Sequence, residues 1–507
     1  MSTSRKKIIY LPLDERPCNF DFPTQMLGDD NKEFFIARPS REIMGEKKIA
    51  ADFEEILRWL IRESKDAYAA IISIDTLVYG GIVPSRLHNL DKETLVSRLG
   101  ILDKLKKANK KLKIYAFNLI MRCPQYSSSD EEPEYYETCG EEIWKLGVIE
   151  HKTELGIASQ AEIDTVKLLR QKTKIHLEDY LARRKQNVSV NIAVIDKVGK
   201  SVDFLIIPQD DSSVYGYIAK DQTAVRQHVK NTNNGLNVLI YPGADEVGMT
   251  LLARVVNQSK NTQPTVSITY SSVLAHTVVP LYEDRLLGES VKYQILAAGG
   301  IVVERSTDSD IDLLINAPSG NMKSVGENHT ISREYDIERN LCEFVEKLSY
   351  LISQNHLVAV ADVAFVNGGD LELVKMMSQK ELMFKVAAYS GWNTSGNTLG
   401  TAITQSMLAR HFGMGETHLR FLALRYFEDV GYCSYVKKYM CDNILPELGL
   451  NYFDSGQARG IVSEKVKEEI EKFVATNLPE VTARYKIKDC YMPWRRMFET
   501  GLQIIEQ

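Results

Sequence analysis

The chain has 507 residues, 44% apolar and 26% charged, with a formal net charge of −6. That length exceeds one compact core, and the composition is that of a globular chain with ample apolar surface to bury. The slight acidity argues against a nucleic-acid-binding face, no run reaches the roughly 18 apolar residues of a membrane span, and the first apolar run is too short for a secretory signal.

Short apolar, β-branched runs alternate with longer amphipathic stretches. Strands are predicted at 7–13 (KIIYLPL), 34–39, 68–74, 113–120 and 202–208. More follow at 237–242, 265–270, 300–304, 312–318, 357–366 and 384–390. Continuous apolar runs of this kind suit parallel strands covered on both faces. Helices are predicted between them at 47–64, 92–110, 246–260, 282–298, 333–354 and 397–411. The alternation predicts an α/β architecture with right-handed crossovers. Segment 125–190 opens on the acidic loop SSSDEEPEYYE at 127–137 and is otherwise helical in pattern, as an insertion after the fourth strand. Residues 412–507, rich in Lys and Glu, read as a helical C-terminal unit behind an α/β core of residues 1–411.

Seven cysteines lie scattered at 18, 123, 139, 342, 433, 441 and 490, with no C-x-x-C pair. Neither a zinc ribbon nor a dithiol motif is indicated, and reduced thiols in a cytoplasm fit best.

Ligands in α/β proteins bind at the carboxyl ends of the strands. In this chain those ends are polar. The first gives Asp14, Glu15, Arg16 and Asn19, the third Asp75, Tyr79 and Arg86, and the fourth Asn118 and Arg122. The fifth gives Asp210 and Asp211, and the sixth Asp245, Glu246 and Arg254. Late strands end in Asp362, Asn367 and Asp370, and in Trp392, Asn393 and Asn397. Asp, Asn and Gly also form turns and helix caps. Turns seldom call for Trp, Tyr and Arg as well. Many polar ends are easiest to unite over one site if the strands close into a ring, so a (β/α)8-barrel-like core of parallel strands is expected. The alternative is two doubly wound α/β domains, divided near residue 262, with a cleft between them.

The adjacent aspartates Asp210 and Asp211 carry the chemistry. Like charges side by side raise one pKa, which suits a general acid near neutral pH. Asp245 and Glu246 form a second pair on the next strand. Asp14, Arg16, Asp75, Arg86, Arg122, Asn367, Asp370, Trp392, Asn393 and Asn397 are candidate substrate-binding residues. Trp392, Tyr215 and Tyr217 offer flat platforms for a sugar ring. The arginines point to an anionic group on the ligand, or else to pairs that hold loops. A rival reading gathers Asp75, Asp210, Asp245, Glu246 and Asp362 around Mg²⁺ or Mn²⁺ in a sugar isomerase or phosphate-ester hydrolase. None of the nine histidines falls inside the motifs, which disfavours a zinc or iron site and leaves a hard-cation site open; the main reading calls for no cofactor. A third reading is a sugar-binding regulator.

The stretches PLDERPCN, SIDTLVYGGIVPSR, PQDDSSVYGY, YPGADEVGMTLLAR, ADVAFVNGGD and AYSGWNTSGNTLGTA together resemble an uncharacterised bacterial family, domain of unknown function 4127. That resemblance implies no reaction. The Asp-Asp pair with later Asn- and Trp-bearing loops is also similar to retaining N-acetylhexosaminidases of the O-GlcNAcase type. This likeness implies that Asp210 orients the substrate acetamido group and that Asp211 is the general acid/base. The expectation is a cytoplasmic, glycoside hydrolase-like enzyme acting on a small amino sugar or charged sugar, with neither nucleic acid nor membrane as partner.

Overall fold

In the computed structural model, which describes residues 5–326 and 331–507, the apolar runs become two separate parallel sheets. The first holds β1 (Lys6–Leu11), β2 (Phe34–Ala37), β3 (Ala69–Ser73), β4 (Lys113–Phe117), β5 (Phe204–Gln209) and β6 (Val238–Pro242). Their order is β2-β1-β3-β4-β5-β6, and every ladder is parallel. Next in the chain come β7 (Thr265–Tyr270), β8 (Ile301–Val302), β9 (Ile311–Asn316) and β10 (Lys323–Ser324). After them come β11 (Val358–Asp362), β12 (Phe365–Val366) and β13 (Ala388–Ser390). Five of these make the second parallel sheet, ordered β13-β11-β9-β7-β8, while β10 pairs with β12 alone.

Counted from its own first strand, each sheet runs second, first, third, fourth, fifth, and the first sheet adds a sixth strand, β6. The chain thus builds the same doubly wound order twice. In such sheets the connections diverge between the first and third strands, and ligands bind outside the carboxyl ends there. Those points lie at β1 and β3 in one sheet and at β7 and β9 in the other.

The expected (β/α)8-barrel-like ring is not what the ladders form. The parallel strands are shared between two sheets, and among the described residues no ladder joins the edge strands β2 and β6. The α/β class and the parallel strands stand. Strands β3, β5, β6, β9 and β11 are buried at every position. That is why their sequences read as continuous apolar runs: both faces are covered.

The chain divides into two units. The first comprises residues up to Glu15, Asp30–Gly248 and Tyr282–Asp284, and the second Arg16–Asp29, Met249–Leu281 and Arg285–Gln507. The division falls at Gly248, not near residue 262. Residues 412–507 group with the second sheet, and besides helices they hold the antiparallel pair β14 (Tyr485–Tyr491) and β15 (Gly501–Glu506). Segment 125–190 contains the helix Tyr136–Glu154 and most of the helix Gln160–Ile195. The longer helix starts on a capping box, with Ser159 and Glu162 exchanging hydrogen bonds with each other's backbone N–H. The second unit's core includes Val266, Ile311, Leu313, Ala359, Ala361, Leu399 and Ile403. No described helix is long and apolar enough to cross a membrane.

Candidate functional site

In the first unit the sheet register brings the polar strand ends together. Ser73 pairs with Phe117, and Phe117 with Ile206, so β3, β4 and β5 end side by side. Each strand then turns sharply. After β3, Ser73 caps the helix Ile74–Tyr79 by accepting a hydrogen bond from Thr76 N–H, which places Asp75 in the first turn. The Thr76 hydroxyl donates to the carbonyls of Pro12 and Leu13, tying the end of β1 to this helix.

Asp75 is 2% exposed. It accepts hydrogen bonds from Leu119 N–H at 2.9 Å and Asn118 Nδ2 at 3.2 Å. Burial outweighs these donors and pushes its carboxyl up to about 7. Asn118 is itself held by Asn191 Nδ2 at 2.7 Å, from the long helix Gln160–Ile195. The same helix braces the rest of the loop after β4. Arg184 donates to the carbonyls of Arg122 and Met121, and Tyr180 to that of Arg122. Asn187 donates to the Ser85 carbonyl beside Arg86. The helical segment after β4 therefore positions the site loops.

Arg86 and Arg122 lie at the centre. Arg86 reaches Asp210 at 2.7 Å, Glu131 at 3.0 Å and Glu132 at 3.3 Å. Arg122 reaches Glu132 at 2.8 Å, Asp211 at 3.1 Å and Glu131 at 3.3 Å. Both guanidinium groups are thus engaged by carboxylates, as loop-holding pairs would be. Glu131 and Glu132 come from the acidic loop at 127–137. The sequence showed that loop's charge but not its partners, which lie nine or more residues away in the chain.

Asp210 and Asp211 follow β5 directly. Asp211 adopts the left-handed region, with φ 41°, an uncommon conformation for a residue with a Cβ and one found often at functional sites. Burial and the neighbouring Asp211 charge push the Asp210 carboxyl up to about 6, against the pull of Arg86 and Arg122. Asp245 adds to the same field. Asp211 is raised too, chiefly by burial. The two carboxyls remain partly exposed, at 15% and 20% of the side chain. Of the second expected pair, Asp245 is buried, and Glu246 folds back on its own turn to accept Ala244 N–H at 2.9 Å.

The remaining candidates divide between the units. Asp14 is buried after β1 in the first. Arg16 belongs to the second, where it stacks over Trp494 at 4.5 Å and lies 3.6 Å from Glu499. Trp392, expected as a sugar platform, is 6% exposed. Its indole N–H donates to Thr401, and its ring meets Phe22 edge-on at 5.9 Å. It is a packing residue of the second unit. Tyr217 likewise sits in an apolar cluster with Cys123, Tyr136 and Tyr180. Asn367 and Asn393 both take positive φ, and Asn367 N–H donates to the Asn393 carbonyl at 2.8 Å. Asn397 is buried in the helix Ser395–Phe412. Asp370 caps the helix Leu371–Gln379 and pairs with Arg339.

Around Asp370 the second unit holds a network that the sequence reading largely missed. Asn316 Nδ2 donates to Asp362 at 2.9 Å and to Asp370 at 3.2 Å. Tyr389 donates its hydroxyl to Asp362 at 2.9 Å. Burial, with Asp370 beside it, pushes Asp362 up to about 7. Behind β13, Asp429 accepts Gly391 N–H at 2.8 Å and pairs with Arg425 at 2.9 Å, and Arg425 also holds Glu428. Asp429 and Glu428 fall in helical segments without motif character, so only their burial identifies them. Among the described residues, no three His, Cys, Asp or Glu side chains are grouped to hold a metal ion.

The chain belongs to the family described as protein of unknown function (DUF4127), whose profile matches residues 8–503. No curated protein matches it.

Proposed function

We propose that the first unit carries the carboxylate acid/base site of a glycoside hydrolase-like enzyme acting on a small amino sugar in the cytoplasm. The observation that carries this reading is the Asp210–Asp211 pair. It sits at the carboxyl end of a parallel strand and is held by two arginines, with the Asp210 carboxyl pushed up to about 6 and the Asp211 carboxyl raised by burial. Glycoside hydrolysis needs one carboxyl to protonate the leaving oxygen and a second group, either a carboxylate or the substrate's own acetamide, to assist departure. An Asp210 carboxyl pushed up to about 6 meets the first need. The seven free cysteines suit a reducing compartment. A second reading, ligand binding without turnover, draws support from the full engagement of Arg86 and Arg122 by carboxylates.

The test is release of nitrophenol from a panel of nitrophenyl glycosides, including the N-acetylglucosaminide, N-acetylgalactosaminide and glucosaminide, with and without EDTA. The hydrolase reading expects EDTA-resistant release that falls by about 100-fold or more in Asp211→Asn or Asp210→Asn, the scale of lost general acid catalysis. EDTA-sensitive release supports the metal-dependent alternative. Release unchanged in both variants refutes the pair as the catalytic group.

A further inference from the structure

In the cluster at the ends of β3, β4 and β5, carboxylates outnumber guanidiniums. Asp210, Asp211 and Glu132 face Arg86 and Arg122, three acids to two bases, and Glu131 touches both arginines as well. Glu132 is 1% exposed. Its Oε1 bridges the two arginines, while its Oε2, equally buried, accepts no hydrogen bond from the described residues. A buried carboxylate oxygen without a donor is costly, and the cost is recovered only by a group that brings N–H or O–H bonds and, best, positive charge. Asp210, Asp211 and Glu131 lie at the accessible side of the cluster, each between 15% and 20% exposed.

We propose that this cluster takes the protonated primary amine of its ligand, so that the preferred substrate is a cationic amino sugar with a free amine. The inference rests on the hydrolase reading for the sugar and on the cluster alone for the amine. It reverses the expectation of an anionic ligand group, because the arginines that would bind one are already spent on carboxylates. An ammonium carries three donors and a full charge, so it answers both the vacant acceptor of Glu132 and the excess of acid. A neutral hydroxyl or an N-acyl group answers only the first. A metal ion asks for three or more converging ligands, a grouping not found among the described residues.

The test is the melting midpoint of the full chain in methylammonium chloride, against tetramethylammonium chloride and potassium chloride at equal concentration. Tetramethylammonium has the charge without the donors. The expected result is a midpoint higher by about 2 °C or more in methylammonium, as binding to the folded state requires. That gain should vanish in Glu132→Gln and in Asp211→Asn. Equal midpoints in the three salts for the wild type, or a gain kept in both variants, overturn the inference. The wild-type comparison stands even if a variant fails to fold. Turnover of glycosides without a methylammonium effect refutes the amine site and leaves the hydrolase reading. A methylammonium effect without turnover does the reverse.

Discussion

Asp75→Asn should make the protein more stable at pH 7 than the wild type, relative to the same comparison at pH 5. Asp75 ionises near 7 in the folded chain, against an ordinary 3.8. An acid with a raised folded pKa favours folding most when protonated, and that contribution is lost as pH rises towards the folded value. At pH 5 the folded state holds about one more proton at this site than the unfolded chain, and at pH 7 about half a proton more. At about 1.4 kcal/mol per proton and pH unit this gives about 2 kcal/mol of wild-type stability lost over that window. Asparagine has no charge to bury, and its side-chain oxygen can still accept the Leu119 and Asn118 donors that Asp75 accepts at 2.9 and 3.2 Å. The difference between variant and wild type should therefore move by about 2 kcal/mol in the variant's favour from pH 5 to pH 7. Urea denaturation at both pH values, followed for the transition that includes the first unit, measures it. A difference that stays constant with pH, or moves the other way, would show that Asp75 is ionised and well solvated in the folded state, and the burial argument would fail.

Arg86→Met should destabilise the first unit by about 3–5 kcal/mol at pH 8, because Asp210 and Glu132 would be left beside Arg122 alone. Calorimetry should show that loss shrinking towards pH 5, where the raised Asp210 carboxyl takes up its proton. Gly391→Ala should sharply reduce soluble protein or the midpoint of the second unit. A Cβ there would stand 2.8 Å from the Gly369 Cα, a backbone contact that no rotamer change relieves. Asn187→Ala, removing the donor to the Ser85 carbonyl, should lower activity without altering the pH profile if the long helix only positions the loop bearing Arg86; a shifted profile would contradict that role.

The strands of the two parallel sheets were legible because they lie in apolar runs, and β7 spans the residues expected, Thr265–Tyr270, whereas the short β10 and the polar-patterned β14 and β15 were not expected. The grouping of the strands was not legible. A run such as FLIIP in β5 is covered on both faces whether its neighbours close a ring or end in open edges, so its composition is the same in either. Order is decided by pairings such as β1 with β3, which join residues about sixty apart in the chain. The polar endings suggested a ring only because all were assigned to one site. Two sheets that share the order of their first five strands divide them into two sets, Asp75, Asn118 and Asp210 in one and Asp362 and Asp370 in the other. The candidate site was legible to the extent that its residues follow strands. Glu131 and Glu132 follow none. They sit in a loop whose acidity suits solvent as well as it suits two arginines. Only the fold sets that loop against Arg86 and Arg122, and so turns the arginines from ligand-binding groups into partners of the site's own carboxylates. The chemistry therefore depends less on which charged residues are present than on which have already been neutralised by one another, a property of the tertiary structure.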